Sequence, residues 1–93
     1  MNVGILGSGS WATAIAKMLC TNVDTLHWWV RSEETANELQ QYGHNPRHSQ
    51  SISLPTAKLR VTTDMQAVVD ACDVLVVAIP SLYLNDVFRE RNI

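Results

Sequence analysis

Asn2-Val3-Gly4-Ile5-Leu6-Gly7-Ser8-Gly9-Ser10-Trp11-Ala12-Thr13-Ala14-Ile15-Ala16 is the stretch that decides the fold. Residues 2–6 read as a short apolar strand that runs straight into two glycines. Beyond them Ala12, Ile15, Ala16 and Leu19 recur at i, i+3, i+4 and i+7, the buried face of a helix over about 11–20. Alanine at 12, 14 and 16 keeps this helix slim enough to lie close to a sheet. Gly7 and Gly9 let the backbone turn tightly and approach a pyrophosphate where a Cβ would intrude. The helix N-terminus adds unpaired N–H groups and a partial positive charge. Ala12 stands where many such turns carry a third glycine. The glycine spacing alone is a weak signal; a strand before it and an amphipathic helix after it supply the context that makes it a dinucleotide-binding turn. The plainer alternative is a structural turn with no ligand. Ser10 is placed to offer a hydroxyl and an N–H to a phosphate. The Trp11 ring is expected near the cofactor cleft, or else as a cover for the sheet edge.

Working outward, apolar runs alternate with helical patterns, the signature of βαβ units around a parallel sheet. A second strand is expected over about 25–31, with Trp28 and Trp29 on opposite faces of a sheet covered on both sides. Ser32 is an N-cap for a polar helix over 33–42, and Gly43 stops it. Residues 44–57, with Pro46 and Pro55, read as a long loop. A short strand at 59–62 follows. Thr63 and Gln66 form a capping-box pattern that starts a helix over about 64–71. Residues 73–79 are almost continuously apolar, as a central parallel strand should be. Pro80 ends that strand, and Ser81 is placed to cap a last helix over about 82–90. The fold class is therefore α/β, a Rossmann-type doubly wound parallel sheet with strand order 3-2-1-4, truncated to slightly more than one mononucleotide-binding half. Its topological switch point lies between strands 1 and 4, where the glycine turn and Pro80-Ser81 both sit at carboxyl ends.

The end of strand 2 bears on the choice of cofactor. NAD-binding folds commonly place an acid about 20 residues after the turn, for the ribose 2′-hydroxyl. Here the strand ends Trp29-Val30-Arg31-Ser32, and Glu33 and Glu34 come later, in the helix. An arginine fork binds a 2′-phosphate that a carboxylate would repel. NADP(H) is therefore favoured, with NAD(H) left open; a solvated surface arginine is the alternative reading of Arg31.

Composition excludes several other classes. The 93 residues make one small domain, and a hydrophobic share of 46% is that of a folded chain. A net charge of −2 gives no electrostatic reason to expect nucleic acid or an anionic membrane. The longest apolar run, 74–80, is far short of the ~20 residues of a membrane helix, and the first residues lack the pattern of a signal peptide. Cys20 and Cys72 form no C-x-x-C pair and are expected as buried thiols in a reduced, cytoplasmic setting. His44 and His48 are four apart, but Pro46 between them breaks a helix and no further ligand stands near, so no metal is expected. His27 reads as a packed strand residue, and Lys17 and Lys58 as surface lysines. The site residues are thus cofactor-binding ones, Gly7, Gly9, Ser10, Trp11, Arg31 and Ser32, with no catalytic set beside them.

These residues also resemble a known family. Gly7 to Ala16 is similar to the signature G-x-G-S-W-(G/A)-T-A-(L/I)-A of bacterial NAD(P)-dependent glycerol-3-phosphate dehydrogenase. Trp29-Val30-Arg31 resembles its W-x-R strand end, Gly43-His44-Asn45-Pro46 a loop where the family has an asparagine, and Thr62-Thr63-Asp64-Met65 its T-x-D-(L/M) helix start. Asp73 to Ser81 resembles its A-D-x-x-(I/V)-x-A-(V/I)-P-S strand. The resemblance spans about residues 2 to 88. It implies reduction of dihydroxyacetone phosphate to sn-glycerol 3-phosphate for phospholipid synthesis. In that reaction hydride passes from the nicotinamide to the keto carbon, and lysines assist the developing alkoxide. It carries Ser10, Trp11 and Arg31 over as cofactor contacts, with Ser32 where several relatives have a second arginine. His48 departs from the tyrosine of many relatives. The family's catalytic lysines and helical substrate domain lie beyond Ile93, so this chain is expected to be the N-terminal NAD(P)-binding portion (1–93) and not itself catalytic. The alternatives are the equivalent part of a 6-phosphogluconate or ketopantoate reductase type of enzyme, and a non-catalytic module that senses NAD(P)H. A strand 4 without its neighbours would also expose a β-prone edge, with self-association as the expected result.

Overall fold

The computed structural model describes residues 2–46 and 52–79. Four strands, β1 (Val3–Leu6), β2 (Leu26–Trp29), β3 (Leu59–Thr62) and β4 (Val74–Val77), form one sheet in the order β3-β2-β1-β4. All three pairings are parallel. The helices α1 (Ser10–Leu19), α2 (Glu33–Tyr42) and α3 (Met65–Ala71) make the crossovers. This is the expected doubly wound topology. Leu6 lies in register with Trp29 and Val77, and Trp29 with Thr62, so all four strands end on one side of the molecule. The expected helix over 82–90, its cap at Ser81 and the departure at His48 lie outside the described residues.

The two tryptophans divide the core as their alternation predicts. Trp28 packs with Ile5, Ala12, Ala16, Leu26 and Leu39 on the face covered by α1 and α2. Trp29 packs with Leu6, Met65 and Val68 under α3. Both indoles are essentially inaccessible, and burying a large apolar side chain contributes about 1.5–3 kcal/mol relative to leaving it exposed. Ala12 and Ala16 are the alanines that bring α1 down onto the sheet; Ala14 faces outward. Gly4, inside β1, is demanded by packing, since a Cβ there would come within 2.7 Å of Cys72 Sγ and 2.9 Å of Val68 Cγ1.

Several local expectations are corrected. The cap of α3 is Asp64, whose Oδ1 accepts from the Ala67 N–H at 3.3 Å. Thr63 instead donates to Glu33 Oε1 at 2.6 Å, and Gln66 reaches forward to Asp70. A carboxylate one residue further on is the better acceptor for an N-terminal N–H, and it displaces the Thr-Gln box. The central position expected of the fourth strand from its apolar run is not what the described sheet shows, whereas its exposed edge is: β4 ends that sheet, and Val74 and Val77 are 43% and 42% accessible. Cys20 is buried as expected, but Cys72 is half-buried against the α3 cluster. Lys58 is half-buried and donates to the Cys20 carbonyl at 2.7 Å, which places a cation at the C-terminal end of α1. The loop between α2 and β3 contains a 3-10 turn, Thr56–Lys58, and buries both Asn45 and Leu54.

Candidate functional site: the turn between β1 and α1

β1 delivers the chain to Gly7, and α1 starts three residues later with Gly9 as its N-cap. The two glycines do different work. Gly7 adopts φ +129°, a conformation L side chains rarely take, and a Cβ there would strike the Ala78 carbonyl of the β4 strand end. Gly7 is therefore required by the fold itself. Gly9 has φ −74°, open to any residue, and beyond its two chain neighbours no atom of the described residues lies within 4 Å of where its Cβ would be. Nothing in the described chain needs a glycine at position 9. The open side fits a group brought in from outside, as a pyrophosphate approaching the backbone at close range would be.

The turn is held by three side chains from behind. Trp28 Nε1 donates to the Gly7 carbonyl at 2.6 Å. Asn45 Nδ2 donates to the Ser8 carbonyl at 2.7 Å and to Thr13 Oγ1 at 3.1 Å. Thr13 Oγ1 donates to the Gly9 carbonyl at 3.0 Å, alongside the first helical bond from the Thr13 N–H. Trp28, Thr13 and Asn45 are each fully buried. Sequence reading used Trp28 only as a core residue, and met Thr13 and Asn45 only as matches within the family resemblance, with no role assigned to either. Thr13, four residues after Gly9, carried a usable local signal, since a helical threonine readily bonds the i−4 carbonyl. Asn45 carried no local signal for its contacts beyond that resemblance, because its partners are 37 and 32 residues away.

Of the residues singled out in the sequence, Ser10 is exposed at the first position of α1 and Trp11 beside it is 70% accessible. Arg31 is exposed just past the end of β2. Ser32 is the N-cap of α2, its Oγ accepting from the Thr35 N–H at 3.4 Å. The nearest carboxylate along the chain, Glu33, is engaged by Thr63. The parallel register brings the glycine turn, Arg31-Ser32 and Ala78-Ile79 to the same carboxyl end of the sheet, the crevice where ligands bind in open α/β sheets. His44 Nδ1 lies 3.3 Å from the Ile52 carbonyl.

A doubly wound sheet whose first turn keeps an open glycine at a helix N-terminus defines a dinucleotide-binding domain of the Rossmann class. The chain belongs to the family described as NAD-dependent glycerol-3-phosphate dehydrogenase N-terminus, whose model matches residues 2–92. It is 38% identical over 92 residues to a glycerol-3-phosphate dehydrogenase (NAD(P)+) of Sphingopyxis alaskensis, covering 99% of this chain and 27% of that protein. It is 30% identical over 90 residues to the enzyme of the same name from Bacillus pumilus, covering 97% of this chain and 26% of that protein. Among solved structures it is similar to the Plasmodium falciparum glycerol-3-phosphate dehydrogenase, with TM-score 0.88 and 26% identity, across 99% of this chain and 28% of that one. The Coxiella burnetii enzyme follows, with TM-score 0.81 and 26% identity, across 96% and 27%. The chain thus spans little more than a quarter of the length of these relatives. The match favours this family over the 6-phosphogluconate and ketopantoate reductase types.

Proposed function

We propose that this chain forms the nucleotide-binding part of a cytoplasmic dehydrogenase that reduces dihydroxyacetone phosphate to sn-glycerol 3-phosphate for glycerophospholipid synthesis, with NADPH preferred and NADH accepted. The observation that carries the nucleotide part is Gly9, a glycine with ordinary backbone angles and open space where its side chain would be. The substrate follows from the family alone. When bound, the dinucleotide supplies the hydride. On this reading the N–H groups at the start of α1 and the Ser10 hydroxyl receive the pyrophosphate, and Trp11 flanks it. Arg31 and the Ser32 hydroxyl take the adenosine 2′-phosphate; the N-cap bond uses only a lone pair of Ser32 Oγ and leaves its O–H to donate. The half-exposed β4 edge, with Val74 and Val77, is where self-association is expected.

The test is Gly9→Ala. Beyond its chain neighbours the added methyl meets no atom of the described residues, so thermal stability should stay close to that of the parent, while NADPH affinity, read by its fluorescence, should fall by about tenfold or more. Unchanged affinity in a stable variant would overturn the cradle. The substrate assignment is checked separately, by dihydroxyacetone phosphate-dependent oxidation of NADPH in a longer chain that carries the substrate domain.

A further inference from the structure

We propose that Trp28, Asn45 and Thr13 are positioning residues that aim the N–H groups of Ser8, Gly9 and Ser10 at the pyrophosphate; this rests on the cofactor reading above. The argument is one of peptide geometry. In a trans peptide the C=O and the following N–H point in opposite directions, and no cis bond occurs among the described residues. The carbonyl of Gly7 is held by Trp28, that of Ser8 by Asn45, and that of Gly9 by Thr13. Three consecutive peptide planes are therefore fixed with their oxygens toward the buried side. Their N–H groups, on Ser8, Gly9 and Ser10, must face the other way, away from the side chains that hold the carbonyls.

Among the described residues none of these three N–H groups has an acceptor. A row of backbone N–H groups turned outward at a helix N-terminus is an anion-binding concavity. The three donors come from three parts of the chain: β2, the loop after α2, and α1 itself. They are coupled, since Asn45 holds the Ser8 carbonyl and Thr13 Oγ1 together. Carbonyls left free to rotate would let the peptide planes swing, and ordering them on binding would then cost affinity. Held in advance, the N–H groups need no reorganisation when the phosphates arrive.

Thr13 gives a clean pair of variants. Thr13→Val keeps the buried shape and removes the hydroxyl, whereas Thr13→Ser keeps the hydroxyl and removes a buried methyl. A merely structural role predicts that affinity follows thermal stability in both. The positioning role separates the two readouts: Thr13→Ser should melt lower yet bind NADPH like the parent, and Thr13→Val should bind about tenfold more weakly, the scale of a hydrogen bond to a charged group. Asn45→Ala should lose affinity in the same direction. The readout is the amide shifts of Ser8, Gly9 and Ser10 in the 15N-labelled chain titrated with NADPH into the millimolar range, which detects weak binding as well as tight. Parent-like affinity and shifts in Thr13→Val overturn the positioning role and leave the cofactor site intact. No shift at these amides in the parent chain overturns the cofactor site, and the positioning role with it.

Discussion

The indole N–H of Trp28 donates to the carbonyl of Gly7 across 2.6 Å, tying the middle of β2 to the turn that follows β1. The bond is fully buried, and its acceptor belongs to the residue whose positive φ makes the turn possible. Trp28→Phe would keep an aromatic ring in the core and remove the donor. The Gly7 oxygen would then be buried without that partner, at a cost of about 1–3 kcal/mol. Urea unfolding should show a lower midpoint with an unchanged slope; an unaltered midpoint would mean that the bond contributes nothing.

A second prediction concerns the other edge of the sheet. Gln40 on α2 lays its side-chain amide along the free side of β3, donating to the Leu59 carbonyl at 3.0 Å and accepting from the Val61 N–H at 3.0 Å. It pairs with the edge as the peptide of a further strand would. Gln40→Ala should cost about 1 kcal/mol for these bonds and a longer one from Nε2 to the Thr56 carbonyl at 3.4 Å. It should also increase self-association, because unpaired edge groups are a template for another chain. Sedimentation velocity over a range of concentrations measures this. A variant no more prone to associate than the parent would show that Gln40 does not protect the edge.

Arg31 carries the proposed preference for the phosphorylated cofactor. Arg31→Ala should weaken NADPH binding by about tenfold or more, the scale of a charge-assisted guanidinium–phosphate contact, and change NADH binding by less than about threefold. Paired fluorescence titrations decide it, and equal losses for both cofactors would remove Arg31 from the 2′-phosphate pocket.

What the sequence made legible follows from the range of the interactions involved. Strand order, the opposite faces of Trp28 and Trp29, and the Ser32 and Gly43 caps could all be read because each depends on local period or on residues a few positions apart. Gly43 takes φ +73° at the end of α2, as a glycine stop requires. At Thr63-Asp64 two competent caps stood side by side, and the Asp64 carboxylate took the position. Asn45 and Gln40 were not legible, because their side chains act on backbone 37 and 19 residues away. Only the closed fold brings those carbonyls within reach. The glycine motif was visible from the start, but not the division of labour within it: Gly7 answers to Ala78 of the β4 strand end, whereas Gly9 answers to nothing in the described chain.

The last prediction is a pH dependence set by Cys20. Burial raises its thiol pKa above the ordinary value near 9.0, against the opposing pull of Lys58 and Lys17. In the unfolded chain the thiol ionises from about pH 9 upward, whereas in the folded chain it stays protonated to higher pH. Over that window the unfolded state releases the proton and the folded state does not, so stability falls as pH rises; below the window the thiol is protonated in both states and has no effect. Melting temperatures followed from neutral to strongly alkaline pH should therefore drop more steeply in the parent than in Cys20→Ala, with the difference confined to the alkaline side. Parallel curves would mean that the thiol ionises as readily in the folded chain as in the unfolded one.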